Sequence, residues 1–71
     1  MRSGHVDYQQ GERCGGYVLL QDGDTGQLVA IRPAAIAAAL STDGRTVLLL
    51  PGGRVVIVDA SIGVVLGWLS S

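Results

Sequence analysis

The sequence predicts a small α+β fold that is mostly β: an antiparallel β-meander of about four to five strands with one C-terminal helix. Three observations support this prediction. Short apolar runs alternate with turn residues, and the pairs Asp43-Gly44 and Gly52-Gly53 each separate two such runs at hairpin spacing. After the last run, Ser61 precedes apolar residues at helical spacing.

The composition limits how such a small domain can be stabilised. The chain has 71 residues, is 48% hydrophobic and contains no Phe, which suits a single compact aliphatic core. Domains of this size often depend on disulfides, metals or oligomerisation. A lone Cys14 cannot close an internal disulfide, and one Cys with one His falls short of a structural zinc set. Oligomerisation is the remaining aid.

Residues 1–16 are polar and show no periodicity, so we predict a flexible N-terminal segment there, with organised structure starting at Tyr17. Residues 17–71 then form a single small β-rich domain. No apolar stretch follows Arg2, which argues against a secretory signal, and the apolar run 60–69 is too short to cross a bilayer. We therefore expect a cytoplasmic protein.

The first hairpin is predicted from strands at 17–22 and 28–32 around a turn of Asp, Gly and Thr residues. In this register Leu20 faces Val29 and Val18 faces Ile31. The turn begins like a calcium loop but lacks the later carboxylates, so its Asp residues are predicted to bond the backbone of the turn.

Residues 33–41 allow two interpretations. Their alanines favour a helix, for which Pro33 is a suitable first residue. The Asp43-Gly44 pair instead predicts a hairpin that pairs Leu40 with Val47. We favour a short turn at 33–35 followed by a strand, although the sequence alone leaves helix or strand open for residues 34–40.

The last hairpin is predicted across 46–59 with Gly52-Gly53 as a two-residue turn, so that Leu50 faces Val55 and Leu48 faces Ile57. Both faces of this ribbon are apolar, whereas a pair with one solvated face would alternate apolar and polar residues. The ribbon therefore needs cover on both sides.

The C-terminal helix is predicted to cover one side. Ser61 is its cap, and the apolar stripe that packs on the sheet comprises Ile62, Val65, Leu66 and Leu69. Gly63 and Gly67 stand four apart, which favours a close approach to another element. A single short helix cannot cover two sheet faces, so we expect the second face, or Trp68, to contact another chain.

The sequence contains no pattern that points to catalysis, a metal or a cofactor. His5 and Cys14 have no oriented partner, so a tail histidine and an incidental thiol are predicted. The glycines do not follow phosphate-loop spacing, and the chain has no Lys. Its five Arg are scattered, which disfavours nucleic-acid binding. We expect a protein that is not an enzyme and binds no cofactor, nucleic acid or membrane.

From Leu28 onward the chain contains, in order, the runs Leu-Val-Ala-Ile-Arg-Pro-Ala-Ala-Ile, Thr-Val-Leu-Leu-Leu-Pro-Gly-Gly-Arg-Val-Val-Ile-Val and Ala-Ser-Ile-Gly-Val-Val-Leu. This order resembles that of the small flagellar-motility FlbD-like proteins. It implies a strand, a hairpin and a Ser-capped helix. This chain lacks the charged residues that are usual in the last helix of that family. The same order of elements also resembles part of LytTR-type DNA-binding domains, against which the absence of Lys argues.

These observations predict a non-enzymatic protein-binding or assembly module that self-associates through an apolar sheet face or the C-terminal helix. The predicted interface residues are Trp68, Val64, Tyr17, Arg32 and Arg54. For Trp68 the competing interpretation is a place in the core. An alternative function is a small inhibitor or accessory protein of a phage or mobile element that occludes a surface of a larger host complex.

Overall fold

The computed structural model describes residues 8–70. Six strands precede one helix along the chain. The strands are β1 (Arg13–Cys14), β2 (Tyr17–Gln21), β3 (Leu28–Ile31), β4 (Ala38–Thr42), β5 (Arg45–Leu50) and β6 (Arg54–Val58), and the helix is α1 (Ile62–Ser70). Short 3-10 turns occupy Pro33–Ala35 and Pro51–Gly53. The predicted α+β fold with mostly antiparallel strands and a C-terminal helix is confirmed.

The strands form two three-stranded antiparallel sheets, in the orders β1-β2-β3 and β4-β5-β6. A bridge between Asp22 and Val58 joins them, and the N–H of Gly23 donates a 2.6 Å hydrogen bond to the carbonyl of Ile57. The sequence predicted a meander but not its division into two sheets. This division matters for the surface because it leaves several strand edges.

The core lies between the inner faces of the two sheets and one side of α1. Its buried apolar residues are Val18, Leu20, Ile31, Leu48, Val56, Val58 and Val65. Thr46 is the buried polar residue among those described, and its hydroxyl donates a 2.8 Å hydrogen bond to the carbonyl of Ala60. Because that bond satisfies the hydroxyl, Thr46 can occupy the core without an unpaired polar group.

The predicted register of the first two hairpins is confirmed. Leu20 pairs with Val29, and Leu40 pairs with Val47. Residues 33–35 form a turn and β4 is a strand, as the favoured interpretation of the alanine-rich segment predicted. Asp43 and Gly44 have positive φ angles of 50° and 78°, the backbone that a two-residue hairpin turn requires. Hairpin chemistry therefore overrode the helix propensity of alanine here.

The predicted register of the last hairpin is wrong by one residue. Leu50 pairs with Arg54 and Leu48 pairs with Val56, since the loop includes Pro51 as well as both glycines. Gly52 and Gly53 have φ angles of 80° and 76°, so the loop uses the conformational freedom of glycine at two positions. The observed register puts Leu48 beside Val56 on the buried face, which a shift of one residue would have prevented.

Organised structure also starts earlier than Tyr17. Strand β1 pairs with β2, and the N–H of Gly11 donates a 2.7 Å hydrogen bond to the carbonyl of Leu19. The guanidinium of Arg13 donates a 3.0 Å hydrogen bond to the carbonyl of Leu69 at the end of α1. Cations stabilise this end of a helix, where carbonyls lack partners within the helix. His5 lies outside the described residues.

Helix α1 begins after Ser61, as predicted, and the Ser61 hydroxyl accepts a 3.4 Å hydrogen bond from the N–H of Val64. The predicted buried stripe is wrong for Leu66, which is 47% exposed. Trp68 packs against the core in its place, because it lies three residues after Val65 on the same side of the helix.

The predicted close approach at the two helix glycines is also wrong for the described residues. A Cβ built on Gly63 or Gly67 would have no heavy atom within 4 Å. Both residues are exposed.

No helix within residues 8–70 has the length and apolar character needed to cross a membrane.

Candidate protein-binding surfaces

One side of the β4-β5-β6 sheet is apolar along most of its length and polar at the end where Thr42 pairs with Arg45. Side chains alternate along a strand, and directly paired residues share a face, so the register assigns each residue to one side. Ala38 pairs with Leu49 and Leu49 with Val55, while Leu40 pairs with Val47 and Val47 with Ile57. We call the apolar part of this side the outer face; it comprises Ala38, Leu40, Val47, Leu49, Val55 and Ile57.

No residue of the outer face is buried in the structure. Leu40 on β4 and Val55 on β6 are 51% and 50% exposed, and both belong to the flanking strands of the sheet. Helix α1 lies on the opposite side, where Val65 joins Leu48 in the core. Within residues 8–70, the helix therefore covers the inner side of this sheet and leaves the outer face open.

A separate cleft of about 380 Å³ lies between the β1-β2-β3 sheet and the tip of the last hairpin. Three polar side chains line it. Tyr17 is the first residue of β2, Arg32 directly follows β3, and Arg54 is the first residue of β6. Its walls are mainly apolar and include Val29 and Leu50. The Arg32 guanidinium carbon lies 5.3 Å from the centre of the Tyr17 ring, a cation-π distance.

The charges around this cleft are unbalanced. No Asp or Glu of the described residues 8–70 lines it. Arg13 is bonded to helix carbonyls and Arg45 to carboxylates. Among residues 8–70, Arg32 and Arg54 have no ion pair or hydrogen bond from their side chains. The two arginines of residues 8–70 whose guanidinium groups have neither an ion pair nor a hydrogen bond thus lie in the same cleft.

The structure brings together three of the five residues that the sequence analysis predicted for an interface: Tyr17, Arg32 and Arg54 line the cleft. The two helix residues lie elsewhere. Val64 is 48% exposed on α1, whereas Trp68 is half-buried against the core, the competing interpretation given above. Sequence alone offered no signal that the tip of the last hairpin would meet the start of β2.

The acidic residues of the first turn have structural partners. The Asp22 carboxylate accepts hydrogen bonds of 3.0 Å from the N–H of Thr25 and 2.8 Å from the N–H of Asp24. These bonds, with that from Thr25 the more important, lower the pKa of Asp22. The predicted role of Asp22 in the turn is confirmed. Within residues 8–70, no three potential metal-binding side chains are grouped together.

An ion-pair cluster holds this turn against the end of β6. The Nε of Arg45 donates a 2.6 Å hydrogen bond to Asp59, and its Nη2 contacts Asp24 at 3.4 Å. The hydrogen bond and charge of Asp59, followed by those of Asp24, raise the pKa of Arg45. Gly23 fits beneath this cluster, since a Cβ there would lie 2.7 Å from the Arg45 guanidinium. The cluster thus joins the first turn to the residue that follows β6.

Comparisons with protein-family models, with curated proteins and with solved structures found no match to this chain. The resemblance to the FlbD-like proteins therefore stays a prediction.

Proposed function

We propose that this chain is a non-enzymatic protein-binding module that self-associates through the outer face. The observation that carries the proposal is a continuous apolar surface across three strands, none of whose residues is buried. Contiguous exposed apolar surface of this kind is typical of interaction sites, because removing it from water is favourable.

A second copy of the chain is a suitable partner for this surface. Two sheets can pack face to face about 10 Å apart with their side chains interdigitating. A twofold arrangement places the same residues on both sides of the contact, so the apolar outer face is complementary to itself. Such a contact also supplies the apolar burial that a domain of this size lacks alone.

Light scattering coupled to size exclusion, over a hundredfold concentration range, tests this proposal with two matched variants. Leu40→Lys adds a charge to the outer face, and Leu66→Lys adds one at a similarly exposed leucine on α1. We expect a dimer or larger oligomer for the original chain and for Leu66→Lys. Leu40→Lys should be monomeric, because association would desolvate its ammonium group.

The two variants also separate the sheet face from the helix as the site of association. Dissociation by Leu66→Lys alone would place the contact on α1 and overturn the outer-face assignment. An original chain that stays monomeric throughout the range would contradict self-association itself. Circular dichroism spectra of both variants would establish that each retains the fold.

A further inference from the structure

We propose that the cleft lined by Tyr17, Arg32 and Arg54 binds an extended acidic peptide segment of a partner protein, which adds as a strand to the open edge of β3. This inference goes beyond self-association because it concerns a second surface. It rests on the proposed function only in treating the chain as a protein-binding module.

Strand β3 lies at the edge of its sheet. It pairs with β2 on one side, and within residues 8–70 the sheet order β1-β2-β3 places no strand on its other side. Ala30 at its middle and Leu28 at its start are both exposed. An edge strand presents unpaired N–H and carbonyl groups that can accept a further strand.

Alternate residues of β3 direct their backbone N–H and carbonyl groups away from β2. Asp22 donates its N–H to the carbonyl of Gln27 at 2.9 Å, so these residues form a hydrogen-bonded pair. Such pairs alternate along an antiparallel ladder, which makes Val29 and Ile31 the next residues of β3 that bond to β2. The backbone groups of Leu28 and Ala30 therefore point outward.

The opposite edge of β2 supports this assignment. Leu19 donates its N–H to the carbonyl of Glu12 at 2.9 Å and accepts a bond from Gly11, so its backbone points away from β3. Its cross-strand neighbour is Ala30. In a non-hydrogen-bonded pair both backbones point away from each other, as the outward orientation of Ala30 requires.

The cleft lies beside this edge of β3 and has mainly apolar walls. Residues from both sides of β3 line it, namely Val29 and Ile31 from one side and Ala30 and Arg32 from the other. A ligand there would therefore run along the strand edge. The wall opposite comes from Leu50, Pro51 and Arg54. Backbone bonds to β3 would hold such a peptide, and the apolar walls would take its aliphatic side chains.

Charge complementarity selects an acidic sequence. Arg32 and Arg54 contribute two guanidinium groups that have no anionic partner within residues 8–70, and no acidic side chain of those residues lines the cleft. Guanidinium groups bind carboxylates through paired, charge-assisted hydrogen bonds. Nucleic acid is a poorer match, because two arginines neutralise few phosphates in a chain of net charge −1.

The experiment uses a fluorescein-labelled six-residue peptide of alternating valine and glutamate, with fluorescence anisotropy as the measurement. Control peptides replace glutamate with lysine, or carry N-methyl groups on alternate residues to block strand pairing. We expect the acidic peptide alone to bind, with an affinity that falls as salt increases. Binding of the N-methylated peptide with equal affinity would overturn strand addition.

Two protein variants with equal changes in net charge test the site. Arg54→Gln removes one positive charge in the cleft. Ser41→Glu adds one negative charge near the Asp43-Gly44 turn, at the end of the β4-β5 pair that lies away from the cleft. We expect Arg54→Gln to weaken peptide binding about fivefold and Ser41→Glu to leave it nearly unchanged. Equal weakening by both would show a general charge effect and overturn the assignment.

The oligomeric state, measured on the same samples, distinguishes this inference from the proposed function. A chain that self-associates but binds none of the peptides overturns the cleft assignment and leaves the outer-face proposal intact. Tighter binding of a single-stranded oligonucleotide than of the acidic peptide would also contradict the inference.

Discussion

At the scale of single residues, the contact between Gly11 and Trp68 ties the N-terminal segment to the helix. A Cβ at Gly11 would lie 2.5 Å from the indole ring. The two residues lie far apart in sequence, so no local pattern could predict their contact. In contrast, the turn roles of Asp22 and Asp43 were predictable, since those residues act on backbone within a few positions of themselves.

Gly11→Ala should destabilise the protein more than Gly16→Ala. Both glycines have a φ of +87°, but a Cβ at Gly16 would meet nothing within 4 Å. Backbone strain is therefore matched, and the difference reports the overlap with Trp68, which we expect to cost about 1 kcal/mol or more. Urea unfolding at one fixed protein concentration measures both; equal losses would contradict the importance of this contact.

The lowered pKa of Asp22 predicts a dependence of stability on pH. A carboxyl group with a folded-state pKa below its ordinary value of 3.8 contributes stability above that pH and loses it as the pH falls through the folded-state pKa. Asp22→Asn keeps an oxygen acceptor for the turn but cannot titrate. We expect the free energy of unfolding of this variant to fall less than that of the original chain between about pH 6 and about pH 2.5.

The chain has other carboxyl groups, so the comparison between these two proteins is the informative quantity. Parallel pH profiles for the original chain and Asp22→Asn would contradict the stabilising role of the ionised carboxylate. A profile in which the variant is flatter would support it.

At the scale of elements, α1 carries an avoidable weakness. Gly67 lies within the helix with no neighbour that requires the absence of a Cβ. Gly67→Ala should therefore raise the free energy of unfolding by about 1 kcal/mol, since glycine is a poor helix former. Ser70→Ala, at the last residue of α1, is a useful comparison because it introduces the same side chain at the helix end, where it removes only the hydrogen bond from the Ser70 hydroxyl to the Leu66 carbonyl. A loss of stability in Gly67→Ala would indicate that another chain packs against this face.

The strands show what local sequence can and cannot predict. The Asp43-Gly44 turn predicted its register correctly because its two residues satisfy a specific turn geometry. The Gly52-Gly53 pair predicted a register shifted by one residue, because the loop recruits Pro51. The observed register of β5 and β6 buries Val56 beside Leu48. That burial is a property of the packed core and not of the turn sequence.

At the scale of the whole molecule, an excess of apolar surface follows from having one helix and two small sheets. The sequence predicted that one helix would leave an apolar sheet face uncovered, and the outer face agrees with that expectation. Its membership depended on the β5-β6 register, which the sequence predicted incorrectly. The cleft could not be predicted, because it joins Tyr17 to Arg54 across the space between the two sheets.

Self-association through the outer face is tested most directly by an isotope-filtered nuclear Overhauser experiment. The sample is an equimolar mixture of labelled and unlabelled chains, each of 7.3 kDa. The experiment detects only contacts between different copies. We predict intermolecular signals from the methyl groups of Leu40, Val47 and Val55. Signals from Val64 and Leu66 alone, or no intermolecular signals at the highest concentration, would contradict self-association through the outer face.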